Sequence, residues 1–445
     1  MRESAILFSE VPNNWSIAPI KSLAEYSVSN VDKHSLDNEE PIRLCNYTDV
    51  YKNERITLDM PLMQATATLE EISKFHLHIG DVVITKDSES WDDIAIPAYI
   101  AETSNDLVCG YHLAMIRPRL NVLNGRFLFR CLQSRSVALQ LELASTGITR
   151  YGLPKGAIGS ALIPLPPVHI QEKIADFLER ETAEIDALVA EKERMLALLE
   201  EKREALISHI VTRGLDPNAP FKPASLDWLG NIPQHWKVRR LKFLIETLEQ
   251  GSSPLASNVP AQPDELGILK LSAISKGRFI RHENKALQQA DNSIQSLSLQ
   301  KGDVLLTRGN TPKLVGDACV VPQDEPNLLI SDLIYRIRVK ETEILPKFLG
   351  QFLITPYARL QIEADARGSS GSMVKISQGH ILDWLVPVPP KSEQQEIVES
   401  IEQEHGKTQE LESVLVESIN LLKERRSALI TAAVTGQIAA EEMTA

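Results

Sequence analysis

At 445 residues the chain is long enough for two or three domains, each with its own core, and its composition is that of an ordinary globular protein. No apolar run approaches the length of a membrane span, which excludes a helical membrane protein. The formal net charge of −13 excludes a uniformly basic nucleic-acid binder, so the distribution of that charge matters more than its sum.

In chain order, a first globular unit opens on Val11-Pro12-Asn13-Asn14-Trp15 and runs to about Leu165. Within it, Gly80-Asp81 reads as a turn, and the β-branched run Val82-Val83-Ile84-Thr85, followed by Lys86, reads as a strand. Gly125–Leu143 has a helical pattern. Pro164-Leu165-Pro166-Pro167 then leads into a stretch without proline, Ile170 to Val211, whose apolar residues recur at helical spacing. Gly214 stands where a helix stop is expected. A proline-rich segment from Gly214 to Pro233 reads as an ordered but irregular linker.

The chain then repeats itself. Ile232-Pro233-Gln234-His235-Trp236 answers the first opening, and Gly302-Asp303 with Val304-Leu305-Leu306-Thr307-Arg308 answers the first turn and strand. Asn327–Ile330 and Ile334–Val339 read as strands, and Pro346–Ala364 as a helical counterpart of Gly125–Leu143. Pro387-Val388-Pro389-Pro390 leads into a second helical stretch that follows the first at a constant offset. Gln171 answers Gln394, Ile174 answers Ile397, and Val211-Thr212 answers Val434-Thr435. The organisation is a tandem duplication of unit and long helix.

Each long helix is expected to hold roughly 43 residues and to reach about 65 Å. With Leu178 as position a of a heptad, the expected seam is Ile174, Leu178, Ile185, Leu188, Met195, Leu199 and Leu206 in the first copy. In the second it is Ile397, Ile401, Leu411, Leu415, Leu422 and Leu429. Polar residues interrupt both seams, as in a coiled coil with register-setting sites. The other reading is an amphipathic helix packed along its own domain. Ser392 with Gln395 suggests a capping box at the start of the second helix, and Gly436 a stop at its end.

The two helical stretches are each net acidic, whereas His112–Leu165 carries seven basic residues against Glu142 alone. Gly267–Arg281 carries Lys270, Lys276, Arg278 and Arg281 with no acid. Locally basic globular segments beside acidic helices are compatible with DNA binding.

Signatures of enzymes fail one by one. Gly147 and Gly152 have phosphate-loop spacing, but Leu153 follows where lysine is required. Neither Pro-Pro pair has the acidic or amide and aromatic neighbours of a base methyltransferase motif, and Pro263-Asp264 leads towards Lys270 with Ile268 at the acidic position of a nuclease triplet. The histidines show no metal-ligand spacing, and His76 and His78 read as structural. Cys45, Cys109, Cys131 and Cys319 form no Cys-x-x-Cys pair, which points to a reducing compartment. With no secretory leader evident, a cytoplasmic location is expected.

The paired Pro-x-Pro-Pro stretches with Gln171-x-x-Ile174 and Gln394-x-x-Ile397, the Trp15 and Trp236 openings, and the two Gly-Asp turns together resemble the specificity subunit of type I restriction-modification systems. The resemblance covers essentially the whole chain. It implies a mixed α/β fold in which two pseudo-symmetric target recognition domains are joined by two long antiparallel coiled-coil helices. The implied division is 1–168 for the first recognition domain, 169–213 for the first helix, 214–231 for the linker, 232–391 for the second domain, 392–436 for the second helix and 437–445 for a tail. It implies a sequence-specific DNA-binding subunit of a restriction system with no catalytic site and no metal. Each domain would read one half of a bipartite, asymmetric site on double-stranded DNA. The helices would set the spacing and dock the modification (methyltransferase) subunits, two in number. S-adenosylmethionine would be bound by those subunits, DNA methylation would fall on adenine, and ATP-dependent restriction subunits would complete the assembly. A methylation-only system and a coiled-coil protein-interaction scaffold remain as alternatives.

DNA contacts are expected from basic and amide residues in glycine-rich loops, where backbone can approach phosphate. In the first domain these are Lys86, Thr149, Arg150, Tyr151 and Lys155. In the second they are Arg308, Asn310, Lys313, Arg367, Ser370 and Lys375.

Overall fold

The computed structural model describes residues 8, 11–224, 226, 228–288, 298–370 and 373–443, with the backbone alone at 368–370. It divides into two compact units, Met1–Glu193 with Leu415–Ala445, and Arg194–Val414. The dividing lines fall inside the two long helices, Val168–Arg213 and Lys391–Val434, so each unit holds one globular domain and part of both helices.

In the first unit a five-stranded sheet runs in the order Ala24–Val28, Leu113–Pro118, Val82–Thr85, Pro97–Ile100, Arg55–Ile56. The second unit has a four-stranded counterpart, Ile245–Gln250, Ile334–Val339, Val304–Thr307, Ala318–Val320. Both central strands after the Gly-Asp turn are wholly buried, as their unbroken apolar runs require. The expected helical segments each break in two. Gly125–Gln133 gives way to Arg135–Ala144 at Ser134, and Pro346–Leu353 to Pro356–Asp365 at Thr355. In the second case Thr355 accepts a hydrogen bond from the Ala358 amide, and Pro356 can only begin a helix. The linker contains a short antiparallel pair, Phe221–Pro223 with Asn231–Pro233.

The repeated motifs have mechanical explanations. Gly80 and Gly302 take φ +95° and +89°, a left-handed turn that admits glycine. The aspartate that follows is almost fully buried in each case. Asp81 accepts from the His78 amide at 2.8 Å and pairs with Arg117 at 2.7 Å. Asp303 accepts from the Gln300 amide at 2.9 Å and pairs with Arg338 at 2.9 Å. Asp303→Asn keeps the amide bond and loses the ion pair. It is expected to cost about 3 kcal/mol, the low end for a broken buried pair, because Arg338 is partly exposed and the buried Arg336, 3.8 Å from Asp303, keeps Glu249 as a partner. Hydrogen exchange of the Val304–Thr307 amides checks this.

The glutamine after each Pro-Pro pair is fully buried. Gln171 donates to the carbonyls of Val122 and Pro166 and accepts from the Asn124 amide. Gln394 donates to Glu343 and Pro389 and accepts from Leu345. One side chain thus ties the start of a long helix to the loop that precedes Gly125–Gln133 in the first unit and Pro346–Leu353 in the second. The start of the second helix has no Ser392–Gln395 capping box. Ser392 lies within the helix, and Gln395 donates to Glu399 one turn on. Gly214 and Gly436 both take φ +76° just past the helix ends.

Within each unit the two long helices run antiparallel. In the first, Arg426 pairs with Asp186 at 2.8 Å and Lys423 with Glu193 at 3.3 Å. In the second, Ile207, Ile210 and Val211 share a core with Ile397, Val398 and Ile401. The heptad seam is displaced from the expected one. Ile174, Leu178, Ile185, Ile397, Ile401 and Leu415 are buried, and Leu199, Leu206, Leu422 and Leu429 are half-buried. Leu188, Met195 and Leu411 are instead 52%, 40% and 42% exposed. The inward positions beside the a series are Thr182, Val189, Arg203, Ile419, Arg426 and Ala433, one residue past the expected d series. Several of these are polar, which hid the register. They face inward because they have polar partners: the Thr182 hydroxyl accepts from Arg130, and Arg426 donates to Glu54 and pairs with Asp186. The first turns of each helix also belong to a domain core, Ile174 and Leu178 in one and Ile397 and Ile401 in the other.

Candidate nucleic-acid interface

The strand leaving each buried sheet runs on into a small three-stranded sheet at the surface. In the first unit its order is Thr146–Gly147, Tyr151–Gly152, Asp87–Ser88, with Gly152 opposite Asp87 and Gly147 opposite Tyr151. In the second it is Gly309–Asn310, Met373–Lys375, Arg367–Ser370, with Lys375 opposite both Gly309 and Arg367. The attachments match. The Lys86 amide donates to the His112 carbonyl and its own carbonyl receives Leu153, while Arg308 does the same with Leu333 and Ile376. Two stretches that the sequence presents as separate loops therefore form one surface. At Gly147, φ is +153° and a Cβ would stand 2.0 Å from the Arg150 carbonyl, so only glycine closes this hairpin.

In the first unit Thr149 and Arg150 are exposed at the hairpin tip beside Ile148, and Tyr151 is half-buried. Lys155 is exposed at the start of the short helix Lys155–Ser160, with its ammonium 5.6 Å from the Tyr26 ring. Lys86 is held down, 2.9 Å from Asp87 and 4.8 Å from the Tyr111 ring. Three neighbours that sequence reasoning did not single out complete the cluster: Asp87, Tyr111 and His112. Asp87 lies 2.6 Å from His112 Nδ1, and Arg150 Nη2 lies 3.4 and 3.5 Å from the two ring nitrogens of His112. Burial pushes the Asp87 carboxyl up, but hydrogen bonds from His112 and Lys86 outweigh it and hold the group below the usual carboxylate range.

In the second unit Lys313, Arg367 and Lys375 are exposed and have no ion-pair partner among the described residues. Arg308 and Asn310 face the protein instead. Arg308 donates to the Tyr335 hydroxyl and to the Asp332 carbonyl, each at 3.2 Å, and Asn310 accepts from the Thr311 amide at 2.8 Å. The side chain of Ser370 lies outside the described residues.

The basic segments are largely neutralised in space. Arg117 pairs with Asp81, Arg126 with Asp176 and Glu179, Arg130 with Glu54, and Arg135 with Glu142. Lys270 pairs with Glu283, Lys276 with Glu200 and Glu204, Arg278 with Glu412, and Arg281 with Glu325. Gly267–Arg281 is thus no cationic patch but a set of struts, two of which tie the second domain to the acidic helices of its own unit. Most partners are distant in sequence, which is why composition alone misplaced this charge. Of the seven basic residues of His112–Leu165, Arg119, Arg150 and Lys155 have no acidic partner among the described residues; Arg119 donates to the Ser22 carbonyl, and Arg150 and Lys155 lie at the small sheet.

No group of three or more His, Cys, Asp or Glu among the described residues is arranged to hold a metal. His76 is hydrogen-bonded to the Ser104 carbonyl at 2.8 Å. No helix among the described residues is long and apolar enough to cross a membrane.

The chain resembles curated proteins along nearly its full length. It is 23% identical over 447 residues to the type I restriction enzyme EcoKI specificity subunit of Escherichia coli K12, covering 97% of this chain and 91% of that one. It is 21% identical to the putative type I restriction enzyme MjaX specificity subunit of Methanocaldococcus jannaschii, over 88% of this chain and 87% of that one. Among solved structures, a chain from work on complex assembly and conformational transition of the type I R-M system superposes with a TM-score of 0.63 at 16% identity, covering 96% of this chain and 99% of that one. The profile of the type I restriction modification DNA specificity domain matches twice, at residues 12–195 and 233–421. Two matched domains, two matching surface sheets and two long helices lead to one conclusion: the chain belongs to the type I restriction modification DNA specificity family.

Proposed function

We propose that the chain is the non-catalytic, DNA-reading subunit of a type I restriction-modification complex, and that each domain reads one half of a split, asymmetric site. The observation that carries this reading is the pair of surface sheets, equivalent in the repeat yet different in side chains. Asp87 and Tyr151 stand in one, with Arg150 at its hairpin tip, and Gly309, Arg367 and Lys375 in the other. Equivalent geometry with different chemistry suits two readers of unlike sequences. The proposed division is 1–168 and 232–391 for the readers and 169–213 and 392–436 for the helices, with 214–231 as the linker and 437–445 as the tail. Of the candidates, Thr149, Arg150, Tyr151, Lys155, Lys313, Arg367, Ser370 and Lys375 are assigned to the DNA surface. Lys86, Arg308 and Asn310 are assigned to holding it in shape.

The helices are assigned to spacing the two readers and to docking two methyltransferase subunits, which bring S-adenosylmethionine; ATP-dependent restriction subunits join that core in the cytoplasm. The exposed Leu188, Met195, Leu198 and Leu411 support docking, because apolar side chains at this exposure on a helix call for a partner.

Exchanging residues 232–391 for those of another specificity subunit is expected to change one half of the methylated motif and leave the other intact. Single-molecule methylation sequencing of host DNA reads the result. A motif that changes in both halves, or in neither, contradicts the assignment of one half-site to one domain.

A further inference from the structure

His112 stands apart from its counterpart in the repeat. Its backbone φ is +70°, a left-handed conformation uncommon outside glycine, whereas Leu333, whose carbonyl receives Arg308 in the same way, has no such twist. Backbone strain of this kind persists where surrounding contacts fix it. Here the contacts are specific. Nδ1 is 2.6 Å from Asp87, and the ring centroid is 4.1 Å from that of Tyr111. Arg150, from the hairpin tip, approaches both ring nitrogens. The charged and titratable groups facing the ring are Asp87 and Lys86 from the strand end, Arg150 from the hairpin and the neighbouring Tyr111. Tyr47, one layer out, senses both Asp87 and Arg150.

The two protonation states of this ring place different demands on Arg150. A neutral imidazole with its proton on Nδ1 donates to Asp87 and carries no charge against the guanidinium, whose Nη2 lies almost equidistant from the two ring nitrogens. A protonated ring still donates to Asp87, but Nε2 then bears a hydrogen. Arg150, 3.4 to 3.5 Å from the ring nitrogens, then meets a like charge, while Asp87 is already occupied by His112 and Lys86. In the second unit Gly309 and Leu333 occupy the places of Asp87 and His112, so nothing there titrates in the same way.

We propose that His112 is a positioning residue whose protonation decides whether Arg150 is held against the protein or released to a DNA phosphate, so that the first reader, and not the second, strengthens its grip as pH falls. This rests on the DNA-reading function proposed above. Histidine is the side chain whose charge ordinarily changes between about pH 5 and 8.

The test uses the full chain assembled with its methyltransferase subunits and a duplex carrying the methylated motif. Dissociation constants are measured against salt at about pH 6 and about pH 8.5. The slope of log K on log salt is expected to steepen at the lower pH by about 0.9, the value for one added phosphate contact, with an affinity gain of about tenfold. His112→Asn does not titrate, and asparagine tolerates the left-handed backbone, so this variant is expected to lose the pH dependence while still binding. Arg150→Ala is expected to lose it as well. If His112→Asn retains the wild-type pH dependence, the switch is overturned and the recognition surface stands. If Arg150→Ala and Lys155→Ala bind as tightly as wild type at both pH values, the surface itself is misassigned and the switch falls with it.

Discussion

Replacing Gln394 with leucine is expected to destabilise its unit by about 4 kcal/mol. Leucine is close in volume, so little of the loss comes from a cavity. The loss comes from three backbone groups that have Gln394 as a partner: the carbonyls of Glu343 and Pro389 and the amide of Leu345. The stranded N–H is the most costly, since a carbonyl has a second lone pair to satisfy. Gln394→Glu separates these contributions. Its carboxylate still accepts from Leu345 but faces two carbonyls in a fully buried site, so its folded pKa must lie above the unfolded one. A group raised in this way stabilises below its unfolded pKa and loses that contribution as pH rises through the folded value. The glutamate variant should therefore regain stability below about pH 5, while the leucine variant should not. Hydrogen exchange of the Leu385, Val386 and Val388 amides measures both. A loss below about 1 kcal/mol for leucine would show that water replaces the side chain and that the tie is dispensable. Gln171 makes the same three contacts in the first unit, so Gln171→Leu should behave alike there.

These two glutamines show what a single sequence makes legible. Their repetition at a fixed offset marks them as important, as it does Asp81 and Asp303, because one structural need recurs twice in one chain. The need itself, a tie across about fifty residues to a loop of different sequence, is invisible until the chain is folded. The helix register failed for a related reason. Leu188, Met195 and Leu411 fit an apolar seam by spacing, yet Arg203 and Arg426 take the inward side. A polar residue can face inward wherever a domain supplies its partner, as Glu54 does for Arg426, and that partner lies 372 residues away. The surface sheets were missed because each strand holds only two to four residues, too short for any periodicity, and their pairing joins segments about sixty residues apart. Lys86 and Arg308 looked like DNA contacts for their charge and their place after a strand. Their side chains are engaged by the protein: Lys86 by its neighbour Asp87 and by Tyr111, and Arg308 by Asp332 and Tyr335, three of the four distant in sequence.

Arg367→Glu is expected to weaken DNA binding by about tenfold to 100-fold at near-physiological salt while leaving the protein as stable as before, or slightly more so. Arg367 and Lys375 stand directly opposite one another on adjacent antiparallel strands, and both are exposed. Residues in that relation share a face, and two like charges there repel. Among the described residues no acid relieves them. Such an arrangement lowers the stability of the hairpin and makes sense where an anion supplies the missing charge. Placing glutamate at 367 converts the repulsion into a cross-strand ion pair with Lys375, worth about 0.2–1 kcal/mol to the fold. It also turns one phosphate contact into a clash and cancels its neighbour, so the slope of log K on log salt should fall by about 1 to 2. The two readouts therefore move in opposite directions, which a purely structural role cannot produce. Arg308→Ala is the contrast: it removes the bonds to Tyr335 and Asp332 and should lower stability and binding together. If Arg367→Glu instead loses stability and keeps its affinity for DNA, the exposed pair belongs to the fold or to another partner, and the reading face of the second domain lies elsewhere.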